Sequence, residues 1–200
     1  PIVNRIIEVF DKNKDKKIAI QQEYINNINE IKLNMLPMLP IIFEALIKHD
    51  NFKTDKDSDN NTLLHYIAGL PIDLFNKFIA RISYSNINDK NIHGKQPIYN
   101  AIINDASDNV IKLLENNAEL TDHSLLYHAT FIGNISIVLT LLNKMVDIKN
   151  KDKNNDILEK NLEYKDKGGN TPLHIAAQTS AEIFNKLKEY IEKILPEKKL

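Results

Sequence analysis

One short stretch of the chain, residues 166–177, constrains the fold more than any other. It reads Asp-Lys-Gly-Gly-Asn-Thr-Pro-Leu-His-Ile-Ala-Ala. Gly168 and Gly169 are suited to the positive φ angles of a tight turn. Thr171 stands where a side-chain oxygen caps a helix, and Pro172 presets φ at the first helical position. We therefore expect a turn that leads directly into a helix.

The apolar side of that helix needs a partner. Leu173 is expected to point inward, while Ala176 and Ala177 keep one face thin, so that a neighbouring helix can approach closely. A unit of this kind cannot bury its apolar face alone and should recur along the chain. Less regular copies do occur, and they begin at Thr62, Gln96 and Ser124.

A second apolar segment follows each of these starts, with the i, i+3, i+4 spacing that predicts a helix with an inward stripe. The segments are Leu74-Phe75-x-x-Phe78-Ile79, Val110-Ile111-x-Leu113-Leu114, Ile137-Val138-x-x-Leu141-Leu142 and Ile183-Phe184-x-x-Leu187. The sequence therefore predicts helix pairs stacked in register. In such a stack, one column of side chains contains Leu64, Ile98, Leu126 and Leu173.

The stretch 166–177 resembles the opening of an ankyrin repeat, whose consensus runs Asp-x-x-Gly-x-Thr-Pro-Leu-His-x-Ala-Ala. The first two starts are spaced close to the family period of about 33 residues, whereas the second spacing is shorter and the third is longer. The resemblance covers residues 41–195. It implies an all-α ankyrin-repeat solenoid of helix-turn-helix units with short finger loops and about four recognisable repeats.

The domain organisation follows from where the motif occurs. Residues 1–50 lack the opening motif and are predicted to be an N-terminal helical region that contains or serves as the cap of the solenoid, with a degenerate repeat within it. Residues 51–200 are predicted to be the repeat domain. The long third spacing coincides with an inserted loop at about 149–164, whose polar first half is expected to be mobile. Ile157, Leu158 and Leu162 in its second half are expected to form a short helical turn.

Composition and charge exclude several classes of protein. The 200 residues are 42% hydrophobic and 26% charged, which is an ordinary globular balance. A net charge of −1 favours neither nucleic acid nor an anionic membrane. The chain has no Cys, which excludes thiolate zinc sites, disulfides and thiol nucleophiles. Prolines and an acidic residue interrupt the apolar stretch 35–47, which is too short to cross a bilayer. We expect a soluble protein.

The histidines and glycines do not form a recognisable catalytic motif. The sequence has neither a His-Glu-x-x-His helix nor a Gly-x-Ser-x-Gly turn, and its 5 glycines are too dispersed for a phosphate-binding loop. The resemblance gives His65 and His174 a local hydrogen-bonding role at the start of a helix. We therefore expect neither enzymatic activity nor a cofactor.

An alternative function rests on residues 11–22, which resemble the start of an EF-hand calcium loop. Asp11, Asn13 and Asp15 stand at loop positions whose oxygens bind the cation. However, Lys16 replaces the glycine that the loop needs for its sharp turn, and Gln22 replaces the bidentate glutamate. Two interpretations stay open, a calcium-responsive helical module and a solvated loop between helices.

The ankyrin resemblance implies that a partner protein is bound by the finger loops and the concave helix face. Carried across residue by residue, the family's contact positions are Ser58, Asp59, Asn61, Gly69, Leu70, Ile92, His93, Lys95, Ile103, Asn104, Leu120, Thr121, His123, Phe131, Ile132, Lys167, Asn170, Gln178 and Thr179. Leu70, Ile103, Phe131 and Ile132 are predicted to form an apolar strip with a polar rim, which is the anatomy of a protein interface.

The function implied is a non-catalytic protein-interaction scaffold. An excess of Lys over Arg, together with abundant Ile and Asn, indicates an AT-rich genome. Ankyrin proteins of such genomes include secreted effectors of intracellular bacteria and proteins of protozoan parasites. On that interpretation the partner is a host protein and the location is the host cytosol; otherwise the protein is cytoplasmic. A further alternative is that the chain is the targeting portion of a larger effector enzyme. The sequence does not indicate an oligomeric state.

Overall fold

The computed structural model describes residues 56–82 and 84–194. Within these ranges the regular structure consists of α-helices, with one isolated antiparallel bridge between Lys56 and Thr62. The predicted all-α class is therefore confirmed for this part of the chain. The helices are α1 (Leu63–Ile67), α2 (Ile72–Ile82), α3 (Pro97–Ile103), α4 (Ser107–Glu115), α5 (Leu125–Ile132), α6 (Ile135–Lys151), α7 (Ile157–Glu163), α8 (Pro172–Thr179) and α9 (Ala181–Ile194).

Most of these helices form consecutive pairs, each with a short first helix packed on the second helix that follows it. The pairs are α1 with α2, α3 with α4, α5 with α6, and α8 with α9. First helices also pack on first helices, in the order α1, α3, α5 and α8. Second helices pack in the order α2, α4, α6 and α9. We call these the first-helix row and the second-helix row.

The predicted column of apolar side chains lies on the first-helix row. Leu64, Ile98 and Leu126 are buried, whereas Leu173 on the last first helix is half-buried. Because the four helices that carry these residues pack one after another, the predicted stacking of helix pairs is confirmed. Each fully buried aliphatic side chain stabilises the stack by about 1.5–3 kcal/mol.

The starts of the first helices lie where the sequence predicts them. Thr62, Gln96, Ser124 and Thr171 are the residues that precede α1, α3, α5 and α8. The Thr171 side chain accepts a hydrogen bond from the His174 backbone N–H, and Pro172 occupies the first turn of α8, so both predictions are confirmed. Pro97 likewise occupies the first turn of α3.

The inserted segment agrees with its prediction in its second half and differs in its first. The helical turn expected at Ile157, Leu158 and Leu162 belongs to a helix, α7, whereas the polar residues before it form only a short turn, because α6 continues to Lys151. The buried residues Leu158, Asn161 and Leu162 all belong to α7, which packs on α5, α6 and α8. The polar residues 152–156 form the turn, whereas the apolar residues after them add a helix to the core.

Candidate functional site

Three finger loops, residues 57–61, 91–95 and 166–170, share one turn geometry. The first residue of each loop is Asp57, Asn91 or Asp166. Its backbone N–H donates to the carbonyl of the fifth residue at 3.1, 3.0 and 3.0 Å, respectively. Its side-chain Oδ1 accepts the backbone N–H groups of the third and fifth residues at 2.7–3.0 Å. A short polar side chain therefore closes each loop from within.

The fourth residue of each finger loop has a positive φ angle. The angle is 59° at Asn60, 70° at Gly94 and 81° at Gly169. Glycine tolerates this conformation without strain, and asparagine is among the residues that adopt it most readily. Gly168 does not have a positive φ, so the prediction that both glycines supply one is wrong for Gly168.

Adjacent finger loops are joined to each other. The backbone N–H of Ile92 donates to the carbonyl of Asp59 at 2.9 Å. The Asn91 side chain donates to Asn61 Oδ1 at 2.9 Å. These bonds fix the second loop beside the first, so the exposed side chains at their tips form a continuous edge.

The third connection, residues 119–123, lacks this turn. Leu120 is buried with 3% of its surface exposed, so the prediction that it contacts a partner is wrong. The Thr121 hydroxyl donates to Gln96 Oε1 at 3.0 Å, and the backbone N–H of Glu119 donates to Asn88 Oδ1 at 2.8 Å. These two bonds hold the connection against residues that precede α3.

Lys95 is the centre of a polar cluster beside this connection. Its Nζ atom lies 2.7 Å from Asp122 Oδ2 and 3.0 Å from Ser124 Oγ, and 4.5 Å from the centroid of the Tyr99 ring. Burial alone would raise the pKa of Asp122, but hydrogen bonds from Lys95 and Ser124 outweigh burial and lower it. The Lys95 ammonium therefore joins the second and third helix pairs.

Aromatic side chains continue from this cluster along the first-helix row. The His128 ring stands edge-on to Tyr99 at 5.0 Å and to Tyr127 at 5.5 Å between centroids. Burial lowers the pKa of His128, and the charge of Lys95 lowers it further. The Tyr127 hydroxyl donates to Asp166 Oδ2 at 2.8 Å, and burial followed by this bond raises the pKa of Tyr127.

The first-helix row has an unusual surface. The described first helices α1, α3, α5 and α8 contain no Asp, Glu, Lys or Arg. They nevertheless expose large apolar side chains, with 38% of Ile103, 49% of Phe131 and 38% of Ile132 accessible to solvent. Tyr66 on α1 is 57% exposed, and its hydroxyl donates to the Asp57 carboxylate. Sequence reasoning did not single out Tyr66.

Apart from the buried Leu120, the predicted contact residues divide into two groups by exposure. The exposed ones are Ser58, Asp59, Ile92, His93, Ile103, Thr121, Phe131, Ile132, Lys167, Gln178 and Thr179. The half-buried ones are Asn61, Gly69, Leu70, Lys95, Asn104, His123 and Asn170. The exposed group lies on the finger loops, the third connection and the first-helix row.

Several half-buried residues are engaged within the protein. Asn170 donates to Asp166 Oδ2 at 3.1 Å and supports its own loop. Asn104 donates to the Asn100 carbonyl at 2.8 Å, and its side chain packs so closely on Gly69 that a Cβ atom there would lie 2.5 Å from Asn104 Nδ2. These side chains position the surface and offer few free polar atoms to a partner.

Two buried asparagines that the sequence reasoning missed hold the helix pairs together. Asn109 on α4 donates to the carbonyls of Ala68 and Leu70 in the preceding pair, at 2.9 and 2.7 Å. Asn161 on α7 accepts the backbone N–H of Leu126 at the start of α5, at 3.3 Å. Each asparagine stands next to an apolar helical stripe in the sequence, and this position could have predicted that both are buried.

The candidate calcium ligands Asp11, Asn13 and Asp15 lie outside the described residues, as does the predicted N-terminal region 1–50. Within residues 56–82 and 84–194, no group of three or more His, Cys, Asp or Glu side chains is arranged to hold a metal ion. No helix in the same ranges combines the length and apolar character needed to cross a bilayer.

Comparison with known proteins gives a partial match. No protein-family model matches the chain. Delta-latroinsectotoxin-Lt1a of Latrodectus tredecimguttatus is 32% identical in an alignment 120 residues long that covers 56% of this chain. The matched region is 9% of the length of that relative. The chain is therefore similar to a small part of a much longer protein.

Proposed function

We propose that this chain is a non-catalytic protein-interaction module built as an ankyrin-repeat solenoid. The motif at residues 166–177, the stacked helix pairs and the recurring finger turns support the ankyrin assignment. The proposed partner is another protein, bound across the finger loops and the first-helix row. We propose no activity of the toxin relative for this chain, because the similarity covers so little of that protein.

The observation that carries the proposal is the uncharged but partly apolar surface of the first-helix row. Protein interfaces are depleted of charge at their centre and enriched in aromatic residues. Ile103, Phe131 and Ile132 expose apolar surface where no charged side chain of their own helices accompanies them. A partner that covers these side chains removes their apolar surface from water, at about 25 cal/mol per Å².

The finger loops supply the rim of the proposed interface. Ser58 and Asp59 stand at the tip of the first loop, Ile92 and His93 at the tip of the second, and all four are exposed. Because the turns are closed by backbone and side-chain hydrogen bonds, these tips are presented with little freedom. Preorganised loops lose less conformational entropy when they bind.

Two matched lysine substitutions test the proposal. Ile132 on the first-helix row and Ile111 on the second-helix row are both isoleucines on helices, with 38% and 37% of their surfaces exposed. Ile132→Lys places a charge on the proposed interface, whereas Ile111→Lys places one on a surface already charged. The measurement is quantitative mass spectrometry of the proteins retained by each variant and by the wild type.

We expect Ile111→Lys to retain the wild-type set and Ile132→Lys to lose specific members of it. Circular dichroism should show the same helix content in all three proteins. If Ile132→Lys retains every protein that the wild type retains, the first-helix row is not the interface and the proposal is wrong.

A further inference from the structure

The buried ring of His65 joins the first helix pair to the second. Only 1% of its surface is exposed. Its Nδ1 atom lies 3.0 Å from the Thr62 backbone nitrogen and 2.8 Å from Thr62 Oγ. Its Nε2 atom lies 3.0 Å from the carbonyl oxygen of Lys95, in the second finger loop. One ring thus caps α1 and links α1 to the next pair.

These contacts fix the protonation state of the ring. A backbone N–H can only donate, so Nδ1 accepts from Thr62 and carries no proton. A carbonyl oxygen can only accept, so Nε2 carries the proton and donates it to Lys95. Both nitrogens are therefore satisfied in the neutral form. A second proton on Nδ1 would leave the buried Thr62 N–H without its acceptor.

The other three helix pairs differ at this position. Tyr99 and Tyr127 replace the histidine in the second and third pairs, and neither titrates near neutral pH. His174 in the last pair makes the same contact with Thr171, at 2.7 Å from Oγ, but its side chain is exposed. His174 therefore does not form a buried link of the kind that His65 forms.

The charged groups around His65 do not offset the cost of placing a second proton on its buried ring. Burial lowers the pKa of His65, although the Lys95 carbonyl and the Asp89 carboxylate oppose the effect. Helix α3, which packs on α1, has no charged residue, and the charged residues of α2 are exposed at Asp73, Lys77 and Arg81. The charged groups that act on the ring are Lys56, Asp57 and Asp89, and Lys56 and Asp89 are paired with each other at 3.0 Å.

We propose that His65 is a proton-sensitive joint whose protonation separates the helix pair α1–α2 from α3–α4 while the later pairs stay stacked. This inference goes beyond partner binding, because it concerns when the first finger loop is in place. A histidine whose pKa is lowered on folding binds its second proton more readily when the joint is open, so acid favours the open joint. The closed joint is therefore fully stable above the ordinary histidine value of 6.5 and loses stability as the pH falls below it.

His128 is half-buried and is a second histidine that has to be distinguished from His65. It lies at the junction of the second and third pairs and faces Tyr99, Tyr127, Lys95 and Asp122. Burial lowers its pKa as well. Its ring makes edge contacts and caps no helix, so its protonation leaves no backbone N–H without an acceptor.

Hydrogen exchange on the whole chain tests the proposal. Exchange is followed at about pH 7.5 and about pH 5.5, on either side of the ordinary histidine pKa, and corrected for the intrinsic pH dependence of exchange. We expect a several-fold loss of protection in peptides of α1 and α2 at the lower pH, with α5 to α9 unchanged. An even loss across all described helices would overturn the proposal.

Three glutamine variants identify the histidine that causes the loss of protection at low pH. In His65→Gln the amide oxygen accepts the Thr62 N–H, as glutamine does in a capping box, and cannot titrate. We expect this variant to lose the pH dependence in α1 and α2, and we expect His174→Gln and His128→Gln to keep it. If His65→Gln keeps the pH dependence, the joint is not at His65.

Nuclear magnetic resonance of the wild-type histidine rings gives an answer that does not depend on how any variant folds. We expect His65 to show a proton on Nε2 and to gain its second proton only as signals of α1 change. A His65 ring that titrates at or above 6.5 while the signals of α1 stay constant would overturn the proposal.

Discussion

The first-helix row and the second-helix row both contribute fully buried side chains to the core but differ in the surfaces that they expose to solvent. Leu126 in α5 and Leu141 in α6 are both fully buried. The described second helices all carry charged residues, whereas the described first helices carry none. Since stacking requires an apolar stripe on each helix but places no demand on its exposed side, folding does not account for the difference.

The distribution of charge on the exposed sides of helices can indicate which surface binds a partner. The fold alone does not indicate this. A helix that is charged on its exposed side remains solvated, and its charges oppose association. A helix with exposed apolar surface and no charge is suited to contact with another protein. The predictions below test whether the rows are alike in stability and unlike in binding.

The largest expected effect is the loss of stability when a buried leucine is truncated, and we expect it to be the same in the two rows. Leu126→Ala and Leu141→Ala each remove a fully buried side chain, so each should lower the free energy of unfolding by about 2–5 kcal/mol. Denaturation by urea, followed by circular dichroism, measures the change. A cost below about 1 kcal/mol for one of the two would show that its row contributes less to the core.

A smaller loss is expected when the first-helix row loses its support from α7. Asn161→Ala leaves the backbone N–H of Leu126 without its side-chain acceptor, which should cost about 1–3 kcal/mol. Asn154→Ala, in the exposed turn before α7, is the control and should change stability by less than about 0.5 kcal/mol. Equal effects of the two variants in urea denaturation would mean that Asn161 does not support α5.

Binding should separate the rows. The double variant His93→Ala with Phe131→Ala removes one exposed side chain from a finger loop and one from the first-helix row. We expect partner capture to weaken by about tenfold or more, because truncation of a contact at the centre of an interface costs more than about 1 kcal/mol. Ile111→Ala on the second-helix row should leave capture unchanged. If the double variant also unfolds, as judged by circular dichroism, these side chains pack within the protein.

The smallest effects concern ion pairs. Asp122→Asn removes the carboxylate that holds Lys95 beside the first-helix row and should cost about 1 kcal/mol at neutral pH. Because the pKa of Asp122 is lowered, its contribution is present above the ordinary value of 3.8 and is lost as the pH falls below that value. The stability of wild type and variant should therefore converge in acid.

The exposed pair Lys186–Glu189 on α9 is the control for this prediction. Glu189→Gln should produce no measurable change in urea denaturation, since solvent screens exposed pairs. An effect as large as that of Asp122→Asn would show that the two rows do not differ in how they use charge.

Much of the fold follows from short-range patterns that the sequence displays directly. Thr171 and Pro172 determine where a helix begins, and the apolar spacing from Ile137 to Leu142 determines which side it buries. These signals lie within a few residues of one another, so no knowledge of distant contacts is needed. They predicted the helix pairs and the order in which they stack.

The candidate site was less predictable because it depends on contacts between units. Leu120 was expected at the surface, but hydrogen bonds to residues 88 and 96 hold its connection against the stack. A short helical turn was expected at Ile157, Leu158 and Leu162, but the packing of α7 on α5, α6 and α8 was not, since the polar residues before it dominate the local composition. The role of His65 as a joint depends on the Lys95 carbonyl, which is distant in sequence.

The repeated geometry of the finger loops has a consequence for how this protein can change. In each loop the first and fourth residues set the path of the backbone, whereas the second and third, such as Ser58 and Asp59 or Ile92 and His93, take no part in closing it with their side chains. Selection can therefore replace those tip residues one at a time. New specificities can evolve on an unaltered scaffold.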